Sequence, residues 1–338
     1  MTPASAPPPP ARPRSAAATA VLVGLALTAG VAMPLQGRVN SALRLELGSP
    51  VQAALVSFSS GLALMLLVWL LLPAGRRSVA RIPAAVRDGH VRWWQMLAGM
   101  IGAVFVFSQA LTIPVIGVAV FTVAVVTGQM LGGMTLDRLG WTPAGVQRIS
   151  PRRLLGALLA FAAVVTVVWP SLRSAGSPGA WLLLALVPLL AGMATSGQQV
   201  LNGQQTAHYG NPIPATLLNF VAGTALLAAV AGVVAGASGG LAPLPTTWWM
   251  YIGGPLGCVF IALAAFLVPR VGAFLTTLGM VGGQLMGSLL LDVVAPAPGS
   301  HVTWLTVLGT LGALVAMVVA STPGLPAGLR RRRRGGLR

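Results

Sequence analysis

The sequence predicts an all-α integral membrane protein of ten transmembrane helices, arranged as two inverted-topology five-helix repeats. Three observations carry this prediction: an apolar composition, a succession of apolar runs long enough to cross a bilayer, and a sequence unit that occurs twice. Of the 338 residues, 56% are hydrophobic and 7% are charged, and the mean hydropathy is +0.85. Since soluble domains carry about 25% charged residues, lipid must cover most of this surface.

Apolar stretches of about 20 residues, the length that spans a hydrocarbon core of about 30 Å, follow one another along the chain. The helices are predicted at about 18–38, 49–72, 93–113, 114–136 and 152–170, and then at about 180–203, 211–236, 247–268, 269–291 and 302–320. Two junctions fall inside continuous apolar runs. There Pro114 and Pro269 are expected to separate the helices, because proline removes a backbone donor and clashes with the preceding turn.

The arginines predict how these helices are oriented. All 21 basic residues are arginine, and with a cytoplasmic N-terminus all but Arg38, Arg44 and Arg173 fall in cytoplasmic segments. By the positive-inside rule, both termini are expected on the cytoplasmic side of a bacterial inner membrane, with arginines near anionic lipid. This placement explains the formal charge of +17 without nucleic acid as a partner. A cleaved signal peptide followed by nine spans is the alternative, because Arg12 and Arg14 precede an apolar run.

One sequence unit is written twice. The stretch "AGVAMPLQGRVNSALRLELGSPVQAALVSFSSG" from Ala29 matches "AGMATSGQQVLNGQQTAHYGNPIPATLLNFVAG" from Ala191, an offset of 162 residues. Further on, the segment from Trp93 matches the segment from Trp248 at an offset of 155. Each copy holds five spans, an odd number, so the second copy enters the membrane in the opposite sense. The repeat also argues against a signal peptide, because the helix at 180–203 would lose its partner.

The repeat fixes the expected division of the chain. We predict a disordered Pro/Ala-rich cytoplasmic tail at 1–17, a first repeat at 18–172, an external linker at 173–179, a second repeat at 180–322 and an Arg-rich cytoplasmic tail at 323–338.

The duplicated stretches, above all "PLQGRVNSAL…GSPVQAALVSF" and "GPLGCVFIALAAFLVPRVGAFLTTLGMVGGQLMGSLLLD", resemble the YdcZ-like family of bacterial inner-membrane proteins in the drug/metabolite transporter superfamily. The resemblance covers about residues 20–320. It implies the ten-helix drug/metabolite transporter fold and, by analogy, export of a small molecule, with the substrate left open. Some small multidrug relatives bind protons and cations with a glutamate in the first helix. This chain has no Asp or Glu in its first or sixth span.

The sequence lacks the residue sets that catalysis requires. Without lysine there is neither a P-loop nor a lysine Schiff base. The three histidines (His90, His208 and His301) fall far apart in predicted loops, whereas metal ligands come in clusters. No nucleophile with a base, and no acidic metal cluster, lies within a span. We therefore expect no enzyme activity, no cofactor and no metal.

Amides inside the spans are the better functional signal. Unsatisfied polar groups in hydrocarbon cost several kcal/mol, so these side chains should face protein or a water-filled cavity. Inversion sorts them into two matched sets, the outer layer (Gln36, Asn40 and Gln284) and the inner layer (Gln198, Asn202 and Gln129). They are predicted either to form two gates on a substrate pathway or to bond helices to one another.

Further duplicated residues extend this pattern. Thr122 shares a helical face with Gln129, and Thr277 repeats the arrangement with Gln284. Asp137 and Asp292 end equivalent helices, where they are either interfacial charges or groups that close the two mouths. Glycines spaced four apart, which permit close backbone approach, predict helix packing at Gly128, Gly132, Gly283 and Gly287.

These observations predict a secondary transporter that exports a small polar or amphipathic metabolite or drug by alternating access. The alternative is a membrane scaffold or accessory subunit that transports nothing. A cavity lined by the duplicated amides would favour transport, and a core closed by large side chains would favour the scaffold.

Overall fold

The computed structural model describes residues 16–141, 150–174, 178–296 and 302–321, and this part of the chain is helical without strands. Its ten α-helices are α1 (Ala16–Leu47), α2 (Pro50–Leu71), α3 (Pro73–Val79), α4 (Ile82–Arg87), α5 (Gly99–Leu139), α6 (Pro151–Ser174), α7 (Pro178–Tyr209), α8 (Pro212–Ser238), α9 (Gly253–Val294) and α10 (Trp304–Ser321). Short 3₁₀ turns, Trp93–Ala98 and Trp248–Tyr251, precede α5 and α9. The predicted Arg-rich tail, all but the last two residues of the N-terminal tail, the centre of the external linker and His301 lie outside the described residues.

The long helices supply the ten crossings. Six stretches of the described chain are long and apolar enough to cross a membrane, and the segment Trp93–Leu139, at 47 residues, is long enough to do so twice. Its helix α5 breaks at Gly117, where φ is 80° and ψ is 166°. Only glycine adopts this conformation without strain. The break predicted at Pro114 is thus present, three residues later. The corresponding α9 has 42 residues, again enough for two crossings, and the side chains around Pro269 lie outside the described set.

Two helices continue past their predicted ends. Helix α1 runs to Leu47 instead of 38, and α7 runs to Tyr209 instead of 203. The polar residues that suggested an early end are accommodated inside the helix bundle, so nothing forces the helices to stop there. Each ends at a glycine with positive φ, Gly48 (67°) or Gly210 (69°). The next residue, Ser49 or Asn211, caps the following helix with its side-chain oxygen.

The halves pack around a pseudo-two-fold axis. Helix α1 of the first repeat packs on α9 of the second, α7 packs on α5 in the same way, and α2 contacts its own counterpart α8. At that last contact the equivalent rings of Phe58 and Phe220 meet, with centroids 5.2 Å apart. A Cβ on Gly61 would overlap Phe220, and one on Gly223 would overlap Phe58. The interlocked arrangement is the inverted repeat that the duplicated sequence predicts.

The four spaced glycines lie at close contacts between helices. A Cβ on Gly128 would overlap the carbonyl oxygen of Leu189 in α7, and a Cβ on Gly283 would overlap that of Leu27 in α1. One turn on, Gly132 faces Met193 in α7, and Gly287 faces Val31 in α1. Since 27 and 189 are themselves equivalent positions, the two repeats use the same contact twice.

Candidate functional site

The outer layer lies within the bundle, between α1, α5 and α9. Asn40 Nδ2 donates a hydrogen bond of 2.9 Å to Gln109 Oε1 of α5, and both side chains are fully buried. Gln36 packs against Gly257, where an added Cβ would lie 2.9 Å from its Nε2. Gln109 was not among the predicted residues. Duplication could not reveal it, because the equivalent position in the second repeat is Ala264.

A small cavity lies beside this layer. Its volume is about 10 Å³, room for about one water molecule. The polar groups on its wall are the amides of Gln109 and Gln284 and the hydroxyl of Thr122. Phe105 and Phe121, with ring centroids 5.9 Å apart, form part of its apolar wall. The structure thus brings Gln284 and Thr122, two residues of the duplicated pattern, together on the wall of one cavity. That cavity lies between four neighbouring transmembrane segments.

Two amides of the inner layer are bonded to each other through a residue that the duplicated pattern did not predict. Asn219 of α8 accepts a bond of 3.4 Å from Gln198 Nε2 and donates one of 2.7 Å to Asn202 Oδ1. Its equivalent in the first repeat is Ser57, so a comparison of the two repeats finds no identical residue at this position. The third predicted member, Gln129, lies on α5, and its carbonyl oxygen accepts a bond of 2.8 Å from Ser196 of α7.

Equivalent residues of the two layers differ in burial. In the outer half, Gln36, Asn40, Gln284 and Thr122 are between 0 and 5% exposed. Their counterparts in the inner half are more accessible, since Gln198, Asn202 and Gln129 are half-buried and Thr277 is exposed. The difference in burial therefore separates positions that the repeat makes equivalent. The described structure is closed around the outer layer and looser around the inner one.

Beyond each layer the two halves are in contact again. On the outer side the contact is an apolar cluster, which we name the outer seal: Leu43, Leu47, Ala53, Ala110 and Met250. On the inner side it is a set of three glutamines, the inner seal: Gln95, Gln204 and Gln205. Gln95 Nε2 bonds Gln204 Oε1 at 3.0 Å, and Gln205 Nε2 bonds the carbonyl oxygen of Gln95 at 2.9 Å.

Asp292 connects the repeats at the outer end of the bundle. Its two carboxylate oxygens accept the N–H groups of Val118 (3.1 Å) and Ala119 (2.7 Å), the first residues after the break in α5. The carboxylate therefore caps a half-helix in the other repeat and meets the positive end of its dipole. At 4% exposure Asp292 is buried, whereas one sequence interpretation made it a charge at the membrane interface. Nearby, Arg38 donates to the carbonyl oxygens of Ala295 (3.1 Å) and Pro296 (3.3 Å).

Asp137 and the two described histidines do not take part in the hydrogen bonds of either layer. Asp137, the counterpart of Asp292, forms an ion pair of 2.6 Å with Arg153, and its side chain is 22% exposed. His90 and His208, expected as isolated loop residues, approach to 5.3 Å between ring centroids, and both are exposed. Across the described ranges, no three His, Cys, Asp or Glu side chains come together as a metal site.

Fold and layers together define a membrane transporter built from two inverted five-helix units. A family model described as "Putative inner membrane exporter, YdcZ" matches residues 21–166 and 183–319, one match for each repeat. The chain belongs to this YdcZ family of the drug/metabolite transporter superfamily. A solved structure described only as "Crystal structure of protein" shares the fold, with 16% identity, a TM-score of 0.50, and coverage of 94% of this chain and 99% of that one. No curated protein matches the chain.

Proposed function

We propose that the protein is a secondary transporter that exports a small polar or amphipathic metabolite or drug by alternating access between its inverted repeats. Membership of an inner-membrane exporter family supports transport in general. The observation that carries the specific mechanism is the unequal burial of equivalent residues, with Asn40 at 0% exposure and Asn202 half-buried. An inverted repeat in which one half is closed and the other loose can exchange the two arrangements and so open to the opposite side.

The amides suit such an exchange. In the outer layer Asn40 bonds Gln109, and in the inner layer Asn202 bonds Asn219. An amide can trade a helix partner for water or for cargo as the halves move, so either layer can open without leaving a buried donor unpaired. In this mechanism the layers act as two gates, and the glycine contacts of α1 with α9 and of α7 with α5 allow the helices to shift while remaining close.

The direction of export follows from the proposed orientation. With both termini in the cytoplasm, the looser inner layer faces the cytoplasm, and the closed outer seal faces outside. Cargo then reaches the pathway from the cytoplasm while the exit is shut. Among the described residues that line the outer cavity there is no carboxylate, so the proposal includes no proton-binding acid in the pathway.

The scaffold alternative draws support from one observation, the small volume of the outer cavity. A protein that only holds partners in the membrane needs no second conformation. The two functions therefore differ in whether Asn40 becomes accessible from outside.

Accessibility at these equivalent positions tests the proposal without a known cargo. In protein carrying Cys258→Ala, Asn40→Cys and Asn202→Cys would be made separately and exposed to an impermeant maleimide in sealed right-side-out and inside-out vesicles. We expect Asn202→Cys to react from the cytoplasmic side, and Asn40→Cys to react from outside more slowly, each protected from the opposite side. Val165→Cys, at an exposed position of α6, is the lipid-facing control. Equal reactivity of both sites from one side, or none at Asn40→Cys over long exposure, would contradict alternating access.

Cargo identification is a separate measurement. Purified full-length protein would be screened against a metabolite library by thermal shift. Compounds that stabilise it would then be assayed for export from cells, with Gln284→Leu as the matched variant.

A further inference from the structure

The cavity beside the outer layer has a distinct chemical character. Its wall offers two amides and a hydroxyl, from Gln109, Gln284 and Thr122, together with the faces or edges of two phenylalanine rings. Amides and hydroxyls both donate and accept hydrogen bonds but carry no net charge. None of the described residues that line the cavity is ionisable.

Two charged groups on the helices that line the cavity, Asp292 and Arg38, are already hydrogen-bonded. Both carboxylate oxygens of Asp292 accept hydrogen bonds from the N–H groups of Val118 and Ala119. The negative charge of Asp292 and the positive end of that half-helix therefore offset each other. Arg38 follows the lining residue Gly37, yet its guanidinium bonds carbonyl oxygens at the end of α9. These two groups are therefore occupied in holding the outer end of the bundle together.

The remaining acids cannot serve a cation here. The whole chain has four acidic residues. Glu46, in the last turn of α1, and Asp88, just after α4, are exposed, and Asp137 pairs with Arg153. A cationic cargo would thus enter the bundle without a counter-ion. For an anionic cargo, the described arginine that keeps a buried atom without a hydrogen-bond partner is Arg44, at its Nε, and Arg44 does not line the cavity. Burying an unpaired charge in this way is strongly unfavourable.

We propose that the cavity between Gln109, Thr122 and Gln284 binds an uncharged cargo that has a hydrogen-bonding group, such as an amide or hydroxyl, on an aromatic or aliphatic body. The inference rests on the proposed transport function and narrows its substrate class to neutral molecules. In the described outward-closed state the cavity is water-sized, so cargo occupies it once the halves have moved apart.

Gln109 is the specificity-determining residue of this site. It has no counterpart in the second repeat, so the symmetric packing of the two halves does not require it. Its bond to Asn40 uses its Oε1 atom and leaves its amide nitrogen near Gly37, on the cavity side. The polar path continues beyond it, since Asn40 Oδ1 and Ser57 Oγ are both buried and have no protein partner.

An isosteric charge series tests the proposal. Benzamide, benzoate and benzamidinium have nearly the same planar shape and are neutral, anionic and cationic. Their binding to purified full-length protein would be measured as the concentration dependence of the shift in melting temperature. We expect benzamide to bind more than about 100-fold more tightly than either ion, because only the ions lose hydration without gaining a counter-charge. Tighter binding of either ion than of benzamide would overturn the proposal.

A charge introduced at the site gives the second arm. Gln109→Glu should make benzamidinium the preferred ligand, and Gln284→Glu is the alternative variant if the first does not fold. The control is Gln199→Glu, at an exposed position of α7 outside the cavity and both layers, which should leave the preference for benzamide unchanged. If Gln109→Glu and Gln284→Glu leave the order of the three ligands unchanged, or if wild type and variants bind none of them, the cavity is not the binding site.

The two proposals can fail separately. Opposite-side labelling of Asn40→Cys and Asn202→Cys, together with a preference for an ion, would retain alternating access and reject the neutral cargo. Labelling that shows no second conformation would reject the transport function itself.

Discussion

The outer and inner seals carry side chains of different chemistry at two pairs of equivalent positions. Leu43 and Met250 lie in the outer seal, and the positions that correspond to them in the inner seal are Gln205 and Gln95. Leu43 and Gln205 are both almost fully buried, at 0% and 1% exposure. Duplication has therefore preserved where the halves meet while the side chains that meet there have diverged.

The difference bears on which side opens more easily. Opening an apolar contact to water exposes hydrocarbon, which is unfavourable in proportion to the area exposed. Opening an amide contact replaces one hydrogen bond by another to water at small net cost. The outer seal should therefore be the harder one to open, in keeping with the closed outer layer and the looser inner layer. For an exporter this asymmetry keeps the exit shut until cargo has entered.

The largest expected effect concerns the carboxylate at the outer end. Asp292→Ala would leave the N–H groups of Val118 and Ala119 without their partner, at about 1–3 kcal/mol for each buried donor. We expect the free energy of unfolding in detergent to fall by several kcal/mol. At the inner end, Arg153→Ala removes a partly exposed ion pair and should cost less than about 1 kcal/mol.

Chemical denaturation of both variants measures this contrast, with Arg87→Ala, at the exposed end of α4, as a control for loss of a surface positive charge. Equal losses for Asp292→Ala and Arg153→Ala would show that the capped half-helix does not anchor the outer side.

The next effect comes from exchanging the chemistry of the seals. Leu43→Gln places an amide in the apolar outer seal, and its unpaired groups would cost about 1–3 kcal/mol in the outward-closed state. The population should shift toward outward-open by about 5- to 150-fold, since 1.4 kcal/mol corresponds to a factor of ten. Labelling of Asn40→Cys from outside, in protein without Cys258, would report that shift.

The reciprocal exchange is Gln205→Leu with Gln95→Met, which makes the inner seal apolar. It should lower the labelling of Asn202→Cys from the cytoplasmic side. If the two exchanges change labelling in the same direction on both sides, seal chemistry does not set the resting state.

How much of the fold and of the candidate site the sequence predicts depends on which residues the two repeats have in common. The ten crossings, the inverted halves and the positions of Gln36 and Gln284 follow from apolar run lengths and matched positions. Asn219 and Gln109 were not predicted as site residues, because the equivalent position in the other repeat holds a different residue, Ser57 or Ala264. Matching finds what both halves share, whereas cargo selection and the direction of opening require that the halves differ. Those features depend on tertiary contacts, such as the bond of 2.9 Å between Asn40 and Gln109.

A smaller effect at the symmetry axis provides a reference for these comparisons. Phe58 and Phe220 contact each other and belong to both sides equally. Phe58→Leu and Phe220→Leu should each destabilise the fold by about 1 kcal/mol through loss of the aromatic pair, and should shift the balance between open states only slightly. Melting temperature and labelling of Asn40→Cys and Asn202→Cys would be measured together. A shift in labelling as large as that of Leu43→Gln would place the gate at the axis instead of at the seals.

The smallest effect concerns Gln36 and Gln198, equivalent amides of the two layers. Leucine can pack but cannot exchange hydrogen bonds with water or cargo, so each substitution should favour the state that buries its own position. Gln36→Leu should therefore favour the outward-closed form and Gln198→Leu the inward-closed form. At about 0.6 kcal/mol for a hydrogen bond between membrane helices, each shift is roughly threefold.

The direction of the change in cysteine labelling, more than its size, makes this last prediction decisive. Two structural amides of equal value would lower the melting temperature alike and leave cysteine labelling at Asn40 and Asn202 unchanged. Two gate residues related by inversion must move the labelling in opposite directions, because what closes one side opens the other. Gln36→Asn and Gln198→Asn are the matched controls, since they retain an amide and should keep the wild-type balance. If both leucine variants lose stability while transport per folded molecule is unchanged, the layers only bond helices together, and the asymmetry between the seals has to be explained without gates.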